Sequence, residues 1–192
     1  MEKPPPPGPP GGAVPPWPLA RRETLLDARV FRVRKDVRVS PVKGTEHDFF
    51  VLEGADWVNV VALTVSGEML FVRQWRQGTE AETLEIPGGC ADAGDASPLD
   101  AARRELREET GYVSDDWEEL GWVSPNPAIQ ANRCFTFLAR GCRRVGEPSP
   151  DGSEDLRVEA IAEADVPGLV RDGRIRHALV LAAFHWYALR AP

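Results

Sequence analysis

Glu105, Glu108 and Glu109 stand at positions i, i+3 and i+4 of a segment, residues 98–110, that reads as a helix. That spacing puts three carboxylates on one helical surface. Like charges held side by side raise one another's pKa and cost stability, and a hard divalent cation removes that cost. Mg2+ and Mn2+ take oxygen ligands of this kind. Just ahead of the helix, Pro87, Gly88 and Gly89 break a short strand at residues 83–90. A Gly-Gly turn lets the backbone approach a ligand closely and sets a backbone carbonyl beside the carboxylate face. On the helix alone, the same residues also suit a solvated face on which Arg103, Arg104 and Arg107 offset the glutamates. The turn in front of the helix favours the metal-binding reading.

The helix that must carry these groups is well delimited. Ser97 is a good N-cap, Pro98 falls at N1, Asp100 can complete an acidic capping box, and Gly111 follows the last turn. Leu99, Ala102 and Leu106 supply its apolar stripe. Upstream, Val30, Val33, Val37 and Val39 interleave with Arg29, Arg32, Arg34 and Arg38, the period-2 pattern of half-buried antiparallel strands over residues 24–51. Further strand text runs at 57–65 and 69–74, joined at Ser66-Gly67-Glu68 into a hairpin. Strands are also expected at 117–123, 133–139 and 156–161. A short helix is expected near 163–171, and a helix at 175–189 that is apolar over most of its circumference and so well buried. Strands, one helix, strands and two helices indicate an α+β fold.

Composition narrows the function classes. The chain has 192 residues and a net charge of −7, which argues against general duplex DNA binding, since that depends on neutralising phosphates with Lys and Arg. It leaves small phosphorylated ligands open, because a metal reverses the local charge. Nine of the 18 prolines fall in the first 18 residues, which read as a disordered, proline-rich leader. Cys90, Cys134 and Cys142 form no disulfide framework. No apolar run approaches a membrane span, and no secretory signal is evident at the start, so a cytoplasmic address is expected. His47, His177 and His185 show no metal-ligand spacing and read as structural or surface residues. Cys90 reads as a packed thiol.

The stretch from Gly89 through Asp95 to Arg104-Glu105-Leu106-Arg107-Glu108-Glu109-Thr110-Gly111-Tyr112 resembles the Nudix box, G-x5-E-x7-R-E-U-x-E-E-x-G-U with U apolar. The last nine residues match at every specified position. Two departures lie in the loop. Asp95 stands where the family has Glu, and one residue is inserted before Arg104. In the family that Glu pairs with the Arg and braces the loop; whether the shorter Asp95 reaches Arg104 is open at this point. Val72-Arg73-Gln74-Trp75-Arg76 and Leu84-Glu85-Ile86-Pro87-Gly88-Gly89 resemble the branch that handles ADP-ribose and nucleoside diphosphate sugars. The likeness covers about residues 22–190.

The resemblance implies a Nudix fold, with mixed β-sheets sandwiched by helices and extra antiparallel strands at the N-terminus. It implies a leader at 1–18, dimerising strands at 19–51 and a hydrolase domain at 52–192. The implied activity is Mg2+-dependent hydrolysis, with Mn2+ as a possible substitute, of ADP-ribose or nucleoside diphosphate sugars to a nucleoside monophosphate and a sugar phosphate. Glu105 and Glu109 are the implied first metal ligands, Glu108 a second-site or water-mediated ligand, and the Gly88 carbonyl a backbone ligand. Arg104 and Glu108 are assigned to catalysis. So is Glu154, as general base from the acidic loop before residue 156, with Asp151 and Asp155 as alternatives. Arg76 is the candidate diphosphate or sugar contact, and it also suits a surface pair with Glu82 or Glu85. Glu85 either assists the metal or holds Arg76. Trp57 is the candidate base-stacking aromatic, core packing being its other reading. The loop at 124–133 lacks the Gly- and acid-containing pattern of many ADP-ribose enzymes, which implies a loosely read sugar. The implied partners are a small nucleotide substrate and a second copy of the chain, with no nucleic acid and no membrane. Two further readings stand beside this one. The first is a Nudix hydrolase of nucleoside triphosphates or dinucleoside polyphosphates. The second is a Nudix-like sensor that binds a nucleotide without cleaving it, which usually carries a DNA-binding segment or an eroded box.

Overall fold

The computed structural model describes residues 14–149 and 155–190. The chain divides into two units, Met1–Glu53 and Gly54–Pro192. In the first, β1 (Leu19–Asp27), β2 (Arg32–Val39) and β3 (Glu46–Glu53) form an antiparallel sheet in the order β1-β2-β3. Its basic text has a structural use. Asp36 is fully buried on β2 and faces Arg22, its register partner on β1. Arg22 donates to it from Nε at 2.7 Å and Nη2 at 2.9 Å, and Arg38 Nη2 donates at 2.9 Å. A buried charge persists only when paired and hydrogen-bonded. The bonds from Arg22, then from Arg38, bring the carboxyl down to about 2 against the opposing effect of burial. Trp17, from the segment expected as a leader, stands edge-on to His47 and Phe49 with ring centroids 5.5 Å away. Leu25, Leu26, Val30 and Phe50 stay exposed on this unit.

The second unit is built on a mixed sheet. The strands are β4 (Trp57–Thr64), β5 (Glu68–Arg76), β6 (Ala81–Glu85), β7 (Gly88–Cys90), β8 (Tyr112–Val113), β9 (Asp116–Val123), β10 (Cys134–Arg144) and β11 (Leu156–Ala162). β4 and β10 pair parallel; the other pairings are antiparallel. The helices are α1 (Pro98–Thr110), α2 (Val166–Arg171) and α3 (Ala178–Ala188), with a 3-10 turn at Glu163–Asp165. Alternation along the strands divides the core in two. Val58, Val60 and Ala62 of β4, Leu70 of β5, and Phe135, Phe137 and Ala139 of β10 cluster with Ala101, Ala102 and Leu106 of α1. Val61, Met69, Phe71 and Leu138 point the other way and cluster with Val166, Ile175, Val180 and Ala183. The α+β class expected from the sequence, with mixed sheet, flanking helices and separate N-terminal strands, is the architecture found.

Three local expectations are corrected. The last helix begins at Ala178 rather than 175, and among its residues only Val180 and Ala183 are buried. Leu181, Phe184, Trp186 and Tyr187 pack against the same core but stay only partly buried, so the apolar circumference is not fully enclosed. β10 runs past 139 to Arg144, because a bulge between Ala139 and Cys142, with Gly141 at φ 61°, lets the strand continue. In the N-cap of α1, the Ser97 hydroxyl accepts the Asp100 amide at 3.2 Å, but the Asp100 carboxylate takes its bond from that hydroxyl at 2.7 Å rather than from a backbone amide. No helix among the described residues is long and apolar enough to cross a membrane.

Candidate active site

The carboxylate helix ends as its sequence dictates. Gly111 adopts φ 74° and its amide caps Arg107 O at 2.8 Å. Leu106, Ala101 and Ala102 are fully buried, which fixes the rotation of α1 and sends Glu105 and Glu109 toward β7. Glu109 is 2 % exposed, and its Oε2 accepts the Gly88 amide at 2.8 Å. Glu105 is 9 % exposed and lies against Gly89, where an added Cβ would come 2.5 Å from Oε1. A Cβ on Gly88 would run into the Val58 carbonyl oxygen. Gly88 is therefore required by close approach to the backbone of β4, and a side chain at Gly89 would displace the Glu105 carboxylate. Glu108 is more exposed than either neighbour.

Arg104 binds this face together. Its Nη1 donates to Glu105 Oε1 and Glu108 Oε2, each at 3.0 Å. On its other side Nη2 donates to Asp95 Oδ2 at 3.0 Å and to the Cys90 carbonyl at 2.9 Å, and Nε donates to Asp95 Oδ1 at 3.3 Å. Asp95 does reach Arg104. Its loop curls back on itself, with the Asp92 amide donating to Asp95 Oδ2 at 2.8 Å. The Arg104 bond, then that amide, lower the Asp95 carboxyl below its ordinary range against the cost of burial. Asp95 first, then Glu105 and Glu108, hold the Arg104 guanidinium above its ordinary value.

Arg76 and Glu85 sit on adjacent strands and form a bidentate pair, Nε to Oε1 and Nη2 to Oε2, each 2.8 Å. Glu85 is 3 % exposed. Thr83 donates to Oε1 at 2.7 Å, and His177 Nδ1 lies 3.5 Å from Oε2. Burial raises the Glu85 carboxyl, and the Arg76 bonds, with Thr83 and His177, outweigh it, so the group stays below its ordinary value. Of the two uses expected for Glu85, the geometry supplies the one that holds Arg76. Trp57 opens β4 opposite Cys90 of β7 and is half-buried; its amide donates to the Arg133 carbonyl at 2.7 Å. Arg133 is fixed by Asp56 at 2.8 Å and lies over Phe135, 4.9 Å from the ring centroid. Glu154 and Asp151 lie outside the described residues. The acidic loop begins, however, at the carboxylate helix: the Ser149 amide donates to Glu108 O at 2.7 Å.

The donor set suits a hard divalent cation. It offers carboxylate oxygens from one helix face and the backbone of β7, where Gly88 and Gly89 lie in strand pairing with Asn59 and Val58 rather than in the turn expected from sequence. Among the described residues no three acidic, His or Cys side chains are already closed into a metal cage, since Arg104 bridges Glu105 and Glu108. Asp92, the Cys90 carbonyl, Thr83 and His177 were missed from sequence. Each acts through a contact that depends on loop closure or strand pairing, which no local pattern announces.

Set against known proteins, residues 53–184 match the NUDIX domain. An ADP-ribose pyrophosphatase of Mycobacterium tuberculosis is 29 % identical over 161 residues, covering 83 % of this chain and 77 % of its own. One from Bacillus subtilis is 27 % identical over 171 residues, covering 88 % and 91 %. The crystal structure of an ADP compounds hydrolase superposes with a TM-score of 0.80 over 93 % of this chain and 95 % of that one, at 22 % identity. That last likeness speaks to the fold.

Proposed function

The chain belongs to the Nudix family and is a Nudix hydrolase, and from that premise we propose that it cleaves the diphosphate bond of ADP-ribose and other nucleoside diphosphate sugars. The products are a nucleoside monophosphate and a sugar phosphate. The observation that carries the reading is the intact carboxylate face, Glu105, Glu108 and Glu109, set against Gly88-Gly89 of β7 and cross-braced by Arg104 and Asp95. The names of the relatives support the substrate class. A cytoplasmic address goes with it.

In this reading Glu105, Glu109 and the Gly88 carbonyl hold Mg2+, with Mn2+ as substitute, and Glu108 holds a second ion or a bridging water. Bound Mg2+ neutralises diphosphate charge and acidifies an attacking water. Arg104 keeps the carboxylates from repelling one another before the metal arrives. Arg76, pre-oriented by Glu85, clamps diphosphate oxygen. Glu154 takes the proton of the attacking water, and Trp57 stacks on the base. The residues 124–133 fold into a tight turn, with the Asn126 carbonyl accepting the Gln130 amide at 2.8 Å, and we read it as holding the sugar loosely. Losing one or two polar contacts costs on the order of 1–3 kcal/mol, about 5- to 150-fold in discrimination.

A panel of nucleoside diphosphate compounds with Mg2+ tests this. ADP-ribose should give AMP and ribose 5-phosphate. At least one ADP- or GDP-hexose should turn over within about two orders of magnitude of it, and EDTA should stop both. Faster release of pyrophosphate from dATP or dGTP than any sugar nucleotide reacts would transfer the assignment to the triphosphatase class.

We also propose a homodimer built through the strands at 19–51. Exposed Leu25, Leu26 and Phe50 on that sheet support it, and two-fold pairing is the commonest closed assembly. Light scattering at micromolar concentration should give twice the chain mass. Removing residues 1–13 should leave the dimer intact. A monomeric mass for the full chain refutes it.

A further inference from the structure

His177 precedes α3 at its N-cap, where Ser, Thr, Asp or Asn normally spend a side-chain oxygen on the first amides. His177 makes no capping bond. Its ring turns instead toward β6. Nδ1 is buried, has no hydrogen-bond partner, and stands 3.5 Å from Glu85 Oε2. A buried ring nitrogen without a partner costs free energy, so its placement calls for a use. The backbone leaves it little choice of position. Ile175 is 1 % exposed on one side, and on the other Asn59 Nδ2 donates to the Leu179 carbonyl at 3.2 Å. Asn59 is the register partner of Gly88, so the strand that pairs with β7 also seats the first turn of α3.

We propose that His177 is a positioning residue for Arg76, acting through Glu85; the inference rests on the reading of Arg76 as the diphosphate contact. A carboxylate has about four lone-pair sites. Glu85 spends one per oxygen on the Arg76 fork and a further one at Oε1 on Thr83. The matching donor at Oε2 is His177, in the tautomer with the proton on Nδ1. With donors on both oxygens the carboxylate plane is fixed, and with it the plane of the guanidinium. With Thr83 alone, Glu85 can rock about the Oε1 bond and carry Arg76 with it. The 3.5 Å separation is a contact that shortens to a hydrogen bond when diphosphate oxygen draws on Arg76, as active-site bonds tighten with substrate present.

Steady-state kinetics on ADP-ribose with five variants tests this. His177→Ala should raise KM roughly fivefold or more, with kcat changed less than twofold, because the interaction lost is one of substrate binding. His177→Asn places an amide donor near the position of Nδ1 and should restore most of the affinity. His177→Gln places its donor beyond that position and should not; this Asn-against-Gln comparison stands even where the alanine variant folds poorly. Arg76→Ala should raise KM by itself, and the double variant should be no worse. If Arg76→Ala leaves KM unchanged, the diphosphate reading of Arg76 falls, and the role of His177 with it. If Arg76→Ala raises KM but His177→Ala does not, if Gln rescues as well as Asn, or if the two effects multiply, His177 has no positioning role and the reading of Arg76 stands.

Discussion

Glu109→Gln is expected to lower kcat by roughly 10²-fold or more while leaving α1 and β7 in place. The substitution is unusually clean at this position. Glu109 is buried, and its Oε2 accepts the Gly88 amide at 2.8 Å. The oxygen of a glutamine amide can accept the same bond, so β7 keeps its anchor at Gly88. Gln is nearly as good a helix former as Glu, so α1 keeps its propensity. What disappears is one negative charge in a site with little solvent to replace it. Electrostatic stabilisation of that kind is worth about 10²–10³ in rate when a single preorganised group is removed. The change should appear in kcat at saturating Mg2+, with a thermal midpoint close to that of the parent. A kcat within threefold of the parent, or full turnover by metal-stripped protein in EDTA, would overturn the assignment of this face to a metal-assisted reaction.

What the sequence discloses about this site, and what it hides, divides along a physical line. The limits of α1 are local: Ser97, Pro98 and Gly111 each act within a turn, and the helix spans Pro98–Thr110 as their chemistry dictates. The three-glutamate face is equally local, since helical periodicity alone puts those side chains together. Asp95 is another matter. Whether a side chain one methylene short reaches Arg104 across an inserted residue depends on how the loop closes, and the Asp92 amide that closes it gives no pattern to read. The Arg76 and Glu85 pair depends on the β5–β6 register, which pairs Arg76 with Ala81 and Val72 with Glu85 and leaves the two side chains on one face. His177 is further still from view. It meets Glu85 only because α3 packs back over the sheet, so a histidine with no metal-ligand spacing read as a bystander. Periodicity carried the elements; contacts between elements far apart in the chain needed the fold.

Glu154→Gln is expected to lower kcat by about 10²–10⁴-fold with little change in KM, the signature of a removed general base. The support is one of placement along the chain. The acidic loop leaves β10 at the C-terminal end of α1, where the Ser149 amide is held by the Glu108 carbonyl at 2.7 Å. It ends at β11, whose first residue, Leu156, is in register with Gln74 of β5, two residues from Arg76. One end is thus bonded to α1 and the other paired with β5, elements that carry proposed site residues, and the chain between them holds Asp151 and Glu154. Asp155, the described acid nearest β11, lines a shallow groove with Arg73, Glu82 and Arg157. Arg73 in that groove is engaged by Glu159 at 2.6 Å and belongs to the strand face opposite Arg76. Asp155 is therefore the weaker candidate for the base, and Asp155→Asn should leave kcat within a few-fold of the parent. Measured side by side, a large kcat loss in Glu154→Gln and none in Asp151→Asn or Asp155→Asn supports the assignment. A near-parental kcat in Glu154→Gln with a loss in one neighbour moves the base to that neighbour. Near-parental kcat in all three variants means that no single loop carboxylate takes the proton, and activation of the water then falls to the carboxylate face of α1.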